Sequence, residues 1–347
     1  MTAVDQARTA GWQLTSALRR VSRVLRTVGG PARAVGTPRQ SLPVPVRAPD
    51  GADATTPQGP DVRAQASGDV RQLLPVAGRG RYDSLVRGCA DDERTVLART
   101  LAATGSVTAV EQLQAVWAGL PGPSRRAVLD PVRTLARAGR QSDGTTCGSS
   151  VLTMLAAAGD PTLALWLVSG RVLGQGRPPE LQDAPPDRLE ALAHGPIEAR
   201  FGAVQRVLKQ RTNSGALLGL PWPAGLGTPP WGAARAARYV GLDFGHRMVD
   251  DTDRADLEAV LESVARSVER GAPVPLYSGG DSSRGLLAAM PRHVVLVIDR
   301  TPDGFSVWEP SAGKVQRVTV ARLLAGHGPV PALGGWSHVV WAVLPRV

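Results

Sequence analysis

Two hydrophobic periods divide the chain, one close to 3.6 over most of its length and one close to 2 near its end. The first helical pattern covers residues 10–28. Trp12, Leu14, Leu18, Val21, Leu25 and Val28 recur at helical spacings, with Arg19, Arg20, Arg23 and Arg26 mostly between them. A basic amphipathic helix of this kind packs on its own domain or a protein partner, or lies peripherally on an anionic membrane. Residues 29–79 lose both periods. They are rich in Pro, Gly, Ala and Asp and too poor in apolar side chains to offset the entropy of ordering, which predicts a disordered linker.

Helical patterns return over 80–140. Val96, Leu97 and Leu101 share a face. Val110, Leu113, Val116 and Trp117 form a second stripe behind a capping box of Thr108 and Glu111. Asp130 as cap and Pro131 at the first helical position open a third helix. The prediction is a small all-helical region, with Cys89 an ordinary buried thiol.

From 141 to 347 the pattern is mixed. An apolar helix begins at Cys147 and stops at Gly159-Asp160-Pro161, and further helical patterns run to Lys209. A long Pro/Gly/Trp loop over 215–232 has the length of a functional loop, a cleft wall or a lid. A helix from about Trp231 to Tyr239 and a short strand at 246–250 follow. Leu257, Val260, Leu261 and Val264 then mark a strong helix ending at Gly271. Asp250, Asp251, Asp253 and Asp256 lack the spacing and glycine of a calcium loop, and capping of that helix explains them. The glycine-rich segment 277–285 has no Lys-Ser/Thr partner for phosphate and predicts a loop beside the strand that follows. Alternation of period 2 then marks strands at 273–278, 292–300, 305–311, 314–320 and 337–345. Turns at 301–304 and 311–313 separate the middle ones as in antiparallel hairpins, and a short helix at 321–326 precedes the last. Helices followed by an antiparallel sheet make an α+β class.

Composition changes this picture little. The formal net charge is +10, yet lysine occurs only at Lys209 and Lys314 and the arginines are scattered. No basic stripe interleaved with aromatic residues appears, so nucleic acid is not an expected partner. Two cysteines cannot form a disulfide framework. No secretory signal and no apolar run of membrane-spanning length is visible, so the expectation is a cytoplasmic protein, peripheral to a membrane where residues 10–28 bind one.

The candidate chemistry centres on Gln141–Ser150, "QSDGTTCGSS". Cys147 stands where a loop gives way to a helix, and a helix N-terminus favours the thiolate, the nucleophilic form of cysteine. Glycines at 144 and 148 allow close approach. The Cys147 N–H and the Gln141 side-chain amide are candidate donors to a developing oxyanion. The base should be a histidine held by a third group. His293 starts a strand and Glu309 ends the next, sixteen positions later (309 − 293), so an antiparallel hairpin makes them cross-strand neighbours. His338 also leads a strand, but no strand ending in an acid follows it. His194 sits at a helix C-terminus, His246 and His327 lie in loops, and Trp308 packs the sheet.

These residues carry a family resemblance. "QSDGTTCG" at a helix start, "RHVVLVID" as a strand and "VWEPSAGKV" as the next hairpin, followed by "VTVARLL", resemble the papain-like cysteine peptidases. Over 141–347 they look most like the bacterial branch related to bacteriocin leader (double-glycine) peptidases. The resemblance implies a papain-like fold, with the cysteine on a helix start in the helical part and the histidine and acid on the C-terminal sheet. It implies Cys147 as nucleophile, His293 as base, Glu309 as orienter and Gln141 as oxyanion donor, with no metal or organic cofactor. The substrate class is a peptide or protein, cut at a peptide or isopeptide bond. Glu309 is a departure, since the family usually has Asp or Asn there. The same triad also serves transglutamination or deamidation, and a catalytically inactive papain-like binding module, tethered by its N-terminal helix, is the non-enzymatic alternative.

Overall fold

The computed structural model describes residues 61–217, 219–250, 252–280 and 291–346. The amphipathic helix expected over 10–28, with the partner or membrane role attached to it, and the linker residues before 61 lie outside them. So do Asp251 and much of the glycine-rich loop.

The linker expected over 29–79 ends early. Asp61 accepts hydrogen bonds from the backbone N–H of Arg63 and Ala64 and caps helix α1, Val62–Leu73, and α2, Val76–Val86, follows. Composition misled here because tertiary contacts hold this turn in place. Val62 N–H donates to the Arg270 carbonyl at 2.9 Å, and the Arg63 guanidinium donates to the Gly271 carbonyl. Helices α3 (Asp91–Thr104), α4 (Val107–Trp117), α5 (Gly122–Leu129) and α6 (Pro131–Thr134) complete the region before Arg140. The cap of α4 is Ser106, whose hydroxyl accepts from Ala109 N–H, and Thr108 lies inside the helix. Asp130 caps α6 as its Asp-Pro pair predicts. These helices close no core of their own. Val96, Leu97, Leu113 and Val128 join one apolar cluster with Val151, Leu155 and Trp166 further along.

Next come α7 (Cys147–Gly159), α8 (Pro161–Ser169), α9 (Pro186–Ala193), α10 (Ile197–Asn213), α11 (Pro230–Ala236), α12 (Arg254–Glu269) and α13 (Val320–Ala325). All thirteen residues of α7 are buried, so it is a central helix with no side facing solvent. It meets α8 at a bend of 111°, where Asp160 caps the second helix. Among the described residues no single helix is long and apolar enough to cross a membrane.

The strands are β1 (Phe244–Met248), β2 (Val274–Gly279), β3 (His293–Thr301), β4 (Gly304–Glu309), β5 (Lys314–Thr319) and β6 (His338–Pro345). They form one antiparallel sheet in the order β1-β6-β2-β3-β4-β5. Side-chain alternation divides the interior in two. On β3, Val294, Leu296 and Ile298 join the cluster that holds α7, while Val295 and Val297 join a second cluster with Leu257, Val260, Leu261 and Val264 of α12. The molecule is therefore α+β in three layers, with α7 and its neighbours on one face of the sheet and α12 on the other.

Candidate active site

The turn before α7 is built by its own short polar side chains. Asp143 Oδ1 accepts from the backbone N–H and the hydroxyl of Thr145, at 2.7 and 2.6 Å. Hydrogen bonding from Thr145 holds this carboxyl below its usual range. Thr146 Oγ1 accepts from the N–H groups of Ser142 and Asp143, both at 3.0 Å. The turn therefore closes on itself, and the helix begins at Cys147. The N–H groups of its first turn have no acceptor four residues back, so they point partial positive charge at the space beside the sulfur.

The histidine and the acid arrive from the sheet. His293 is the first residue of β3, opposite Ser278 of β2. Leu296 pairs with Trp308, which places Glu309, one step further, level with Val295. The acid is thus a diagonal neighbour of His293 rather than its direct partner, and the two still meet: Nε2 lies 2.6 Å from Glu309 Oε1. The turn after Glu309 cages the carboxylate. Ser311 N–H donates to Oε1 and Ala312 N–H to Oε2, each at 2.7 Å. Burial alone would raise the Glu309 pKa, but these bonds and His293 outweigh it and hold it below the ordinary carboxylate value.

The Cys147 sulfur completes the set. Burial works against a charged imidazole, yet hydrogen bonds from the ring to the Cys147 sulfur and the Glu309 carboxylate outweigh it and push His293 up to about 9. With Nε2 held by Glu309, the other ring nitrogen is left for the sulfur. Cys147 is 4% exposed and His293 6%. The chain matches no protein-family model, no curated protein and no solved structure.

Three of the four expected residues, Cys147, His293 and Glu309, come together. Gln141 lies beside them in a different arrangement. Its Nε2 donates to the Asp143 carbonyl at 3.1 Å and its Oε1 accepts from Ser311 Oγ at 3.2 Å. Its backbone N–H donates to the Pro310 carbonyl at 3.1 Å. Gln141 thus ties the nucleophile turn to the turn that cages Glu309, and one hydrogen of its amide is left over. The rival His338 starts β6 opposite Gly279, with Nδ1 2.7 Å from Ser337 Oγ and its Nε2 edge towards Gly326.

Other neighbours gave no signal in the sequence. The Trp-rich loop reaches the site through its last residues. A β-carbon at Gly148 would stand 2.6 Å from Thr228 Oγ1, so the glycine after the nucleophile is needed to admit Thr228. Thr228 Oγ1 is buried without a hydrogen-bond partner, and the Thr228 carbonyl accepts from Tyr277 OH at 3.1 Å. Burial, and then the Cys147 sulfur, push the Tyr277 phenol well up. Lys209 Nζ donates to Thr145 Oγ1. The loop's tryptophans face inward: Trp222 and Trp231 meet edge to face at 5.3 Å, and Trp231 Nε1 donates to the Ala216 carbonyl.

Of the acidic residues before α12, Asp253 caps the helix as expected, whereas Asp250 accepts from the Thr252 hydroxyl and Asp256 lies inside the helix. Asp253 accepts from Ala255 and Asp256 N–H, and Asp256 pairs with Arg247 at 2.8 Å. Cys89 lies in the helical region, its Sγ 3.1 Å from the Leu85 carbonyl. Burial, then the charge of Glu93, raise its pKa.

Proposed function

We propose that this chain is a papain-like cysteine hydrolase that cleaves a peptide or isopeptide bond through Cys147, His293 and Glu309. The observation that carries the reading is a buried imidazole whose Nε2 lies 2.6 Å from a caged carboxylate and whose charged form is favoured by the Cys147 sulfur at the start of α7. An imidazolium next to a helix-start cysteine is the arrangement that makes a thiolate nucleophile.

In this reading Cys147 attacks the substrate carbonyl carbon and forms a C–S bond. The negative charge that develops on the carbonyl oxygen faces the N–H groups of the first turn of α7 and the unused hydrogen of the Gln141 amide. The tetrahedral species collapses, the C–N bond breaks, and His293 gives its proton to the leaving amine. Water then attacks the thioester while His293 takes its proton, the C–S bond breaks, and the acid product leaves as the thiolate–imidazolium pair is restored. Glu309 keeps the ring oriented and favours its charged form throughout. The assembled trio also favours catalysis over an inactive binding module, in which a buried acid–imidazole pair beside a thiol has no task.

The test is a peptide-acyl probe that alkylates active-site thiols, applied near neutral pH with Cys147→Ala and His293→Ala as controls. Labelling should fall on Cys147 and disappear in both variants. Slow labelling of Cys147 and Cys89 at the same rate overturns the reading.

A further inference from the structure

Gly334 presses on the imidazole. It follows the turn Pro331–Leu333 with a left-handed backbone, φ +67°. A β-carbon there would stand 2.7 Å from His293 Nε2, the nitrogen that meets Glu309, and closer still to Cδ2. Gly335 has the same handedness, φ +83°, but nothing lies within 4 Å of its missing β-carbon. The backbone therefore favours glycine at both positions, and the imidazole demands it only at the first.

The turn has little room to retreat. Leu333 is fully buried, and its carbonyl accepts from Ser278 Oγ at 3.0 Å, on the residue paired with His293 across the sheet. Gly334 N–H donates to the Pro331 carbonyl and Gly335 N–H to the Val330 carbonyl, each at 3.0 Å. The ring torsion of histidine is broad, so contacts rather than intrinsic preference must fix the direction of its two nitrogens. The titratable groups acting on the ring are Cys147 from α7 and Glu309 from β4. Glu309 bonds Nε2, Cys147 favours the charged ring, and the bare α-carbon of Gly334 supplies a wall.

We infer that Gly334 is a positioning residue, whose lack of a side chain lets His293 lie with Nε2 on Glu309 and its other nitrogen towards Cys147. The inference rests on the Cys–His–Glu reading above. An added methyl group displaces the nitrogen that Glu309 holds, and the imidazolium loses the partner that stabilises it.

The experiment compares Gly334→Ala with Gly335→Ala in the full chain by NMR titration of the histidine rings, of which there are five. The wild type and Gly335→Ala should share a high His293 midpoint. Gly334→Ala should lower it by at least about one unit, a tenfold loss of proton affinity, and slow iodoacetamide labelling of Cys147 at pH 7 about tenfold. Equal midpoints in the two variants overturn the role of Gly334 and leave the hydrolase reading standing. A wild-type midpoint at the ordinary histidine value overturns both. A double-mutant cycle covers the case in which Gly334→Ala is too unstable to titrate. Its excess loss of melting temperature over Gly335→Ala should vanish when His293 is also alanine, and an excess that survives removal of the ring overturns the inference.

Discussion

Glu309 meets His293 on the diagonal of the β3–β4 hairpin, not straight across it. The acid is level with Val295 in the register, yet its carboxylate lies 2.6 Å from a ring two residues away. A diagonal pair is farther apart than a direct one, so the longer arm of glutamate is what closes the gap. A glutamate at this position thus has a geometric reason in this hairpin.

Shortening that arm tests the point. Glu309→Asp withdraws the carboxyl by about one C–C bond, ~1.5 Å. It also loses the cage of Ser311 and Ala312 N–H groups. Labelling of Cys147 by iodoacetamide at pH 7 should slow by about tenfold or more, with the rate at Cys89 unchanged. An aspartate variant that labels at the wild-type rate would show the diagonal reach to be unimportant.

The pH dependence of stability has a definite sign. His293 is raised from an ordinary 6.5 to about 9. Folding therefore takes up a proton between those values, and the stability from this group is complete below 6.5 and lost as the pH rises through 9. Glu309 is lowered from 4.5, so its contribution is present above that value and lost as the pH falls through its folded pKa. Melting temperature across the range should be highest from about 5 to 6.5 and decline towards 9. His293→Ala should flatten the alkaline decline.

Hydrolysis and acyl transfer differ in what attacks the thioester. With a peptide acyl donor and an excess of a primary amine, the expected product is the free acid from cleavage. Mass spectrometry showing stable amine incorporation as the main product would replace the peptidase with a transglutaminase.

A buried ion network holds the nucleophile's helix to the rest of the fold. Arg238 bonds Asp160 at 2.8 Å and Glu180 through two nitrogens at 3.0 and 2.7 Å, and both acids are almost fully buried. Arg238→Met leaves two buried carboxylates without their cation, at a cost of about 3–5 kcal/mol. Thermal unfolding should show a drop of roughly ten degrees. A change of only a degree or two would mean that the acids find other partners.

The parts of the molecule that were legible in the sequence are those set by local spacing. Cys147 stands between a self-closing polar turn and an unbroken apolar run, so its place at a helix start follows from neighbouring residues. His293 and Glu309 belong to one hairpin, and a tight turn at 301–304 brings them together whatever the rest of the sheet does. The strand order was not legible. β2 lies between β3 and β6, and β1 adds to the edge of β6, pairings decided by packing between segments far apart in the chain.

Composition misled at the start of the described region for an identifiable reason. The segment from Val62 looks too polar to fold, but its first turn is pinned to Arg270 and Gly271. The arginines are scattered along the chain, and several cap helix ends from within. Arg99 donates to the carbonyls of Leu129 and Ala158, and Arg200 to those of Leu167, Val168 and Gly195. Thr228 and Gly334 left no trace in the sequence because each matters only through a residue distant in the chain, Gly148 and His293 respectively.

Gln141 has a consequence for how the centre fails. The sulfur belongs to the helical layer and the imidazole and carboxylate to the sheet, and Gln141 clasps the seam between them through its backbone and both ends of its amide. Parting the layers at that seam separates thiol from ring and unsettles the acid's cage in the same movement. On heating, the centre should come apart in one step, with no half-built stage in which the nucleophile is lost and the acid–imidazole pair survives.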